Sequence, residues 1–272
     1  WGAAERAVEA AKDALQNARC FPDAGAHRLR ATLAVRHGVP PERIIVGAGI
    51  SELGDLLIRT FVGPSQTVVC PWPSYPLYRL VAQAAGRESL LAPLRNHRVD
   101  LSAPAALVDA RTQLASLANP TNPTGSYVPR RELAAFFDRI PRSVIVVLDE
   151  AYAEYVNAPD APEGPLDFMH RPRVGVLRTF SKAYGLAGLR VGYAVTDPEI
   201  VSYLERVRPP FSVNAPALAA AHAALLDRAH LERVQRANEQ ARRQLAAALH
   251  RIGRDVHPSQ TNFLMMFTED PD

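Results

Sequence analysis

The sequence predicts an α/β protein built on a mostly parallel sheet, with helices covering both faces. Apolar runs near Ile44, Val68, Leu117, Val146, Leu177 and Val191 alternate with helix-like segments such as residues 130–139. Such alternation is what crossover-connected parallel strands leave in a sequence. The run Val144-Ile145-Val146-Val147-Leu148 is unbroken and rich in β-branched residues, as a strand buried on both faces requires. Glycine and proline clusters punctuate the runs where turns are needed. With 272 residues the chain can bury a large core, enough for one big domain and part of another.

Taken in order, the first strand is Arg43-Ile44-Ile45-Val46. It leads through Gly47-Ala48-Gly49-Ile50-Ser51-Glu52 into an amphipathic helix ending near Phe61. Glycines let a backbone approach a phosphate closely, and a helix N-terminus offers free N–H groups in a positive field. A dinucleotide fingerprint is not present, because its third glycine would fall at Glu52. Ser51 could instead be a plain N-cap, which is compatible with a phosphate role. Further on, Leu114-Ala115-Ser116-Leu117-Ala118 reads as a strand closed by the rigid turn Asn119-Pro120-Thr121-Asn122-Pro123-Thr124-Gly125. The turn would present the Asn122 amide at the strand end. The 144–148 run then ends in Asp149-Glu150-Ala151-Tyr152. In an open parallel sheet, ligands bind beyond the carboxyl ends of the strands, so Asp149 would face such a crevice. Its bland alternative is a helix cap. Residues 158–165 read as a proline-rich loop. After Pro216 the chain turns helical, over 217–227 and 231–252.

The string Arg178-Thr179-Phe180-Ser181-Lys182-Ala183-Tyr184-Gly185-Leu186-Ala187-Gly188-Leu189-Arg190 carries the most chemistry. A lysine that joins a carbonyl needs an apolar, semi-closed setting favouring its neutral amine, and a phosphate needs hydroxyls and a forked cation. Thr179, Ser181 and Arg190 supply these around Lys182. Alone, Lys182 would be a solvated surface lysine. Together with Asp149, which could hold a proton on a ring nitrogen and so make the ring an electron sink, it points to a phosphorylated aldehyde cofactor.

These motifs resemble the fold-type I pyridoxal phosphate aminotransferases of class I/II, and most specifically the histidinol-phosphate aminotransferase family. Phe21-Pro22-Asp23 with Leu29-Arg30, Gly49-Ile50-Ser51-Glu52-Leu53 with Leu56-Leu57-Ile58-Arg59, the 119–125 turn, Asp149-Glu150-Ala151-Tyr152 and the lysine string occur in that family's order. The resemblance implies pyridoxal 5′-phosphate as cofactor. Lys182 would join its aldehyde and then move a proton; Asp149 would pair with the ring nitrogen; Asn122 and Tyr152 would bind the ring's phenolic oxygen. Tyr75, in Pro73-Ser74-Tyr75-Pro76-Leu77-Tyr78, would stack on the ring. Gly49, Ile50 through its backbone, Ser51, Thr179, Ser181 and Arg190 would form the phosphate cup.

It also implies residues 1–20 as an N-terminal helix packing on a small domain, 21–228 as the large cofactor-binding domain, and 229–272 as an inter-domain helix and the start of the small domain. Phe21 stands where the family usually has a tyrosine reaching the neighbouring subunit's cofactor, and Ser51 where an aspartate is common. Trp1-Gly2 falls where the family's Asn-Glu-Asn-Pro-[Trp/Tyr]-Gly segment ends, and the chain stops before its substrate-binding arginines. A trimmed chain is the expectation.

The implied activity is amino transfer between a phosphorylated or aromatic amine, with L-histidinol phosphate leading, and 2-oxoglutarate. Phenylalanine transamination, decarboxylation of threonine phosphate and a non-enzymic effector domain of a regulator are the alternatives. A homodimer is implied as well. Lys and Arg number 31 against 28 acidic residues, a net charge of +3 without a basic patch, so no nucleic-acid partner is expected. No apolar run is long enough for a bilayer. Only Cys20 and Cys70 occur, which suits a reducing, cytoplasmic setting rather than a disulfide framework or zinc site.

Overall fold

The computed structural model describes residues 2–268. Trp1, where the family's N-terminal segment was expected to end, and residues 269–272 of the expected small domain lie outside the described residues. Seven strands make one sheet: β1 (Ile44–Gly47), β2 (Thr67–Trp72), β3 (Glu88–Pro93), β4 (Thr112–Ala118), β5 (Ile145–Asp149), β6 (Val174–Thr179) and β7 (Gly192–Val195). Their spatial order is β1-β7-β6-β5-β4-β2-β3. Only β7 runs against its neighbours β1 and β6; the other pairings are parallel. β5 is buried along its full length, as its β-branched sequence requires of a central strand.

The helices are α1 (Glu5–Leu15), α2 (His27–His37), α3 (Ile50–Phe61), α4 (Leu77–Ala84), α5 (Ser102–Leu107), α6 (Arg130–Arg139), α7 (Gly164–Phe168), α8 (Pro198–Val207), α9 (Ala215–Leu226) and α10 (Arg228–Arg251). One feature departs from the sequence reading. β3 is an additional edge strand, paired in parallel with β2; its residues, exposed or half-buried apart from Ala92, lack both a long apolar run and alternation. α1 packs chiefly along α9. Small side chains favour this pairing: Ala7 is the buried residue of α1, and the buried residues of α9 are Ala217, Ala220, Ala221, Ala224 and Leu225, so the two backbones can approach.

Register places the site. Gly47 and Thr179 both pair with Gly192, Ala118 pairs with Asp149, and Asp149 with Leu177. The carboxyl ends of β1, β6, β5 and β4 therefore share one sheet edge. The reversal from β6 into β7 is made by residues 180–191, where the Phe180 N–H donates to Val191 O and the Leu186 N–H to Phe180 O. Lys182 stands on that connection. Gly185, at φ +69°, lies where a Cβ would meet the backbone of Gly2 and Ala3, so the N-terminal segment closes over the loop.

Candidate active site

Beyond the shared edge lies a cavity lined by Ile50, Ser51, Tyr75, Asn122, Asp149, Tyr152, Thr179, Ser181, Lys182 and Arg190, together with Ala118, Pro120 and Ala151. Every residue expected at the cofactor from the sequence is in this lining except Gly49, which lies against the Arg190 guanidinium. Lys182 and Asp149 thus face one space although they come from different strand ends.

At its deep side Asp149 is only 3 % exposed. Its Oδ1 accepts the Ala151 N–H at 3.1 Å and its Oδ2 accepts the Tyr78 hydroxyl at 3.0 Å. Burial pushes its pKa up to about 6, against the pull of these two donors and of the Lys182 charge. It is not a helix cap, since the chain turns into a short 3-10 helix at Ala153–Tyr155 instead. Asn122 Nδ2 donates to the Tyr152 hydroxyl at 3.2 Å, so the two groups converge on one point. The turn beneath Asn122 is held by Asn119, whose side chain exchanges two hydrogen bonds with the Val128 backbone, and by Thr121 Oγ1 donating to Ala118 O. Burial raises the Tyr152 pKa.

The opposite wall is built for an anion. No side chain caps the first turn of α3; Gly49 is its N-cap at φ 80°, ψ 169°, and Ser51 lies inside the helix, not at the cap. A Cβ at Gly49 would fall 2.6 Å from Arg190 Nη2, so glycine lets the guanidinium lie against the helix start. Arg190 Nη1 donates to Ser181 Oγ at 3.3 Å and to Ala187 O at 3.1 Å, and Thr179 Oγ1 accepts the Ser181 N–H at 3.0 Å. Free helix N–H groups, two hydroxyls and a forked cation match a phosphate. A buried carboxylate and a paired amide and phenol match a cationic, hydroxylated ring. The site fits a phosphorylated pyridine aldehyde.

Lys182 departs from the enclosed apolar setting expected of it. Its side chain is exposed, with Nζ 5.3 Å above the Tyr152 ring centroid. Lys182 and Ser181 also border a second depression, lined by Tyr155, Gly185, Ala187, Val234, Asn238 and Asn262.

Residues 2–271 match the family model for aminotransferase class I and II. The chain belongs to that family. This aminotransferase is 44 % identical over 265 residues to a histidinol-phosphate aminotransferase of Anaeromyxobacter sp., covering 97 % of this chain and 73 % of that protein. It is 41 % identical over 272 residues to histidinol-phosphate aminotransferase 2 of Carboxydothermus hydrogenoformans, covering 100 % of this chain and 75 % of the relative. Among solved structures, histidinol-phosphate aminotransferase from Sinorhizobium meliloti in complex with pyridoxal-5′-phosphate superposes with a TM-score of 0.94 at 31 % identity, over 99 % of this chain and 73 % of that one.

Sequence reasoning about this aminotransferase left Tyr78 without a role. It is 4 % exposed and touches Asp149 directly. The available signal was its place, three positions after Tyr75 and in the first turn of α4. A tyrosine on an apolar helix face reads as core, and that reading hid it. The C-terminal segment also reaches the site: Phe263 meets Tyr152 edge-on at 5.3 Å, and the Gln260 N–H donates to Gly125 O at 2.8 Å.

Proposed function

We propose that this chain is a histidinol-phosphate aminotransferase that holds pyridoxal 5′-phosphate in the cavity and moves an amino group from L-histidinol phosphate to 2-oxoglutarate. The observation that carries the reading is the shared cavity of Lys182 and Asp149. The relatives' names supply the donor. When bound, the cofactor supplies an aldehyde carbon that joins an amine and a cationic ring that takes up the electrons freed at the substrate Cα.

The residues do the rest. Lys182 would hold the aldehyde carbon until the substrate amine displaces it, and the freed amine would then be the group that moves the Cα proton; its exposure toward the second depression leaves room for substrate to arrive from that side. Asp149 would keep the ring nitrogen protonated. Asn122 and Tyr152 would bind the phenolic oxygen, and Tyr75 would stack on the ring. Ile50 N–H, Ser51, Thr179, Ser181 and Arg190 would hold the phosphate, with Gly49 making the space.

The proposal includes a homodimer. Phe21, 81 % exposed, stacks on Phe211 at 4.7 Å between centroids, an apolar pair suited to cover by a second subunit. It also includes a division into a large domain over 21–228 and a C-terminal unit from 229, and a cytoplasmic location. Both cysteines are free, and among the described residues no helix is long and apolar enough to cross a membrane.

The test is glutamate formation by purified protein given L-histidinol phosphate and 2-oxoglutarate, run beside phenylalanine and threonine phosphate. Turnover with L-histidinol phosphate at least tenfold above phenylalanine is expected. Preference for phenylalanine, or carbon dioxide release from threonine phosphate without amino transfer, would replace the substrate assignment.

A further inference from the structure

Asp149 has two fixed donors. The Ala151 N–H comes from its own loop, whereas the Tyr78 hydroxyl comes from α4, an element that packs on α3 and on β2 and β3. The Tyr78 ring is held where it is. It is buried and packs against α3, where a Cβ built on Gly54 would lie in ordinary contact with Tyr78 Cε1 at 3.5 Å and tight against the neighbouring Leu77 Cδ2 at 3.0 Å. Tyr75 lines the cavity from the turn that leads into the same helix, one residue before its N-cap Pro76. One short stretch of chain thus presents an aromatic face to the cavity and a hydroxyl to the carboxylate beneath it.

We propose that Tyr78 is a positioning residue for the reaction: its donated hydrogen bond keeps the Asp149 carboxylate charged and aimed at the ring nitrogen of the cofactor. The proposal rests on the function proposed above. Each carboxylate oxygen can accept more than one hydrogen bond, so the Tyr78 bond and the ring N–H can be held together. The titratable groups around Asp149 are Tyr78 from α4, Lys182 from the β6–β7 connection, Glu150 beside it in the chain, and Tyr152. Of these, Tyr78 is the one that hydrogen-bonds its carboxylate. Burial alone would favour the protonated acid, which could not pair with a protonated ring nitrogen. A charge-assisted bond from a phenol works against that tendency.

The experiment compares wild type, Tyr78→Phe, Asp149→Asn and the double variant as full chains. In cofactor-free protein, infrared titration of the protonated-carboxyl band absent from Asp149→Asn reports Asp149 directly. Its midpoint is expected to rise by about one pH unit in Tyr78→Phe, a tenfold change in proton affinity. Pyridoxal phosphate should bind about tenfold more weakly to Tyr78→Phe, and kcat should fall with KM for 2-oxoglutarate unchanged. In the Asp149→Asn background the same change should add nothing, because Tyr78 acts through Asp149. Thermal unfolding of Tyr78→Phe within a few degrees of wild type would accompany this result. An unmoved midpoint, tighter cofactor binding, or an equal loss in the Asp149→Asn background would overturn the inference. Wild type that takes up no pyridoxal phosphate overturns the proposed function as well. Uptake by wild type with Tyr78→Phe indistinguishable from it overturns this inference alone.

Discussion

A missing methyl at position 49 sets how closely Arg190 approaches the first turn of α3. At φ 80°, ψ 169° the backbone is in a region that only glycine occupies at low cost, and a Cβ would stand 2.6 Å from the guanidinium. Gly49→Ala should therefore cost about 1–3 kcal/mol in backbone strain and displace Arg190 from the phosphate position. Equilibrium titration with pyridoxal phosphate should show at least about tenfold weaker binding while circular dichroism keeps the wild-type helix signal. Lys182 makes the complementary case. Because its side chain is exposed, Lys182→Ala should leave the unfolding temperature nearly unchanged and lower the amino-transfer rate by about a thousandfold or more, within the range expected for loss of a proton-transfer group. A variant with steady turnover and the visible absorbance of bound cofactor would remove Lys182 from its assigned role. These residues were legible because their types are chemically uncommon in combination: a lysine flanked by hydroxyls, a carboxylate ending a buried strand, glycines before a helix. Tyr78 was not, because one tyrosine among apolar helix neighbours carries no such mark.

At the scale of elements, legibility followed burial. β5 and α6 stand out because the unbroken apolar run over 144–148, or an amphipathic ten-residue stretch, leaves few alternatives. β3 hides because an edge strand satisfies only one ladder and need not be apolar. The packing of α1 on α9 is not written in either sequence, because alanine faces record how close a partner comes, not which partner it is. The contact between the 119–125 turn and the C-terminal segment was equally invisible, since it joins two irregular stretches. Gly125 shows that it is nevertheless tight: at φ +75°, a Cβ would lie 2.6 Å from Ser259 Cβ and 3.1 Å from Ser259 Cα. Gly125→Ala should push the 257–263 segment off the turn, weaken the bond from the Gln260 N–H to Gly125 O and disturb Phe263 against Tyr152. A loss of about 1–3 kcal/mol is expected from overpacking and left-handed strain together. Urea unfolding and faster proteolysis within residues 255–267 would report it. An unchanged cleavage rate would mean that the segment docks through other contacts.

For the whole molecule, the alternation of strands and helices revealed the layers, but not that β1 lies beside β7 or that β7 alone is reversed. Those pairings are long-range, and the sequence of either strand is compatible with many neighbours. The arrangement has an energetic consequence. It buries Asp149 at a convergence of strand ends where, without cofactor, its charge is poorly compensated. Its folded pKa of about 6 lies above the ordinary carboxylate value of 3.8. The stabilisation this represents is fully present below about pH 3.8 and is lost as pH rises through about 6, an amount of roughly 3 kcal/mol. Glu150 and Glu154, also raised by burial, act in the same direction. His37 acts oppositely: burial lowers its pKa to about 3, so stability is lost as pH falls from 6.5 and the unfolded chain takes up a proton that the folded chain refuses. Because these windows overlap, the pH profile of wild type alone cannot isolate the site, but its difference from Asp149→Asn can. In cofactor-free protein that variant should match wild type near pH 4 and exceed it by up to about 3 kcal/mol at pH 8. With pyridoxal phosphate present the order at pH 8 should invert, since only wild type gains binding energy from a cationic ring nitrogen. Urea unfolding at both pH values, with and without cofactor, measures all four quantities. A difference between the two proteins that is the same at pH 4 and pH 8 would show that the Asp149 carboxylate is already compensated by the chain itself.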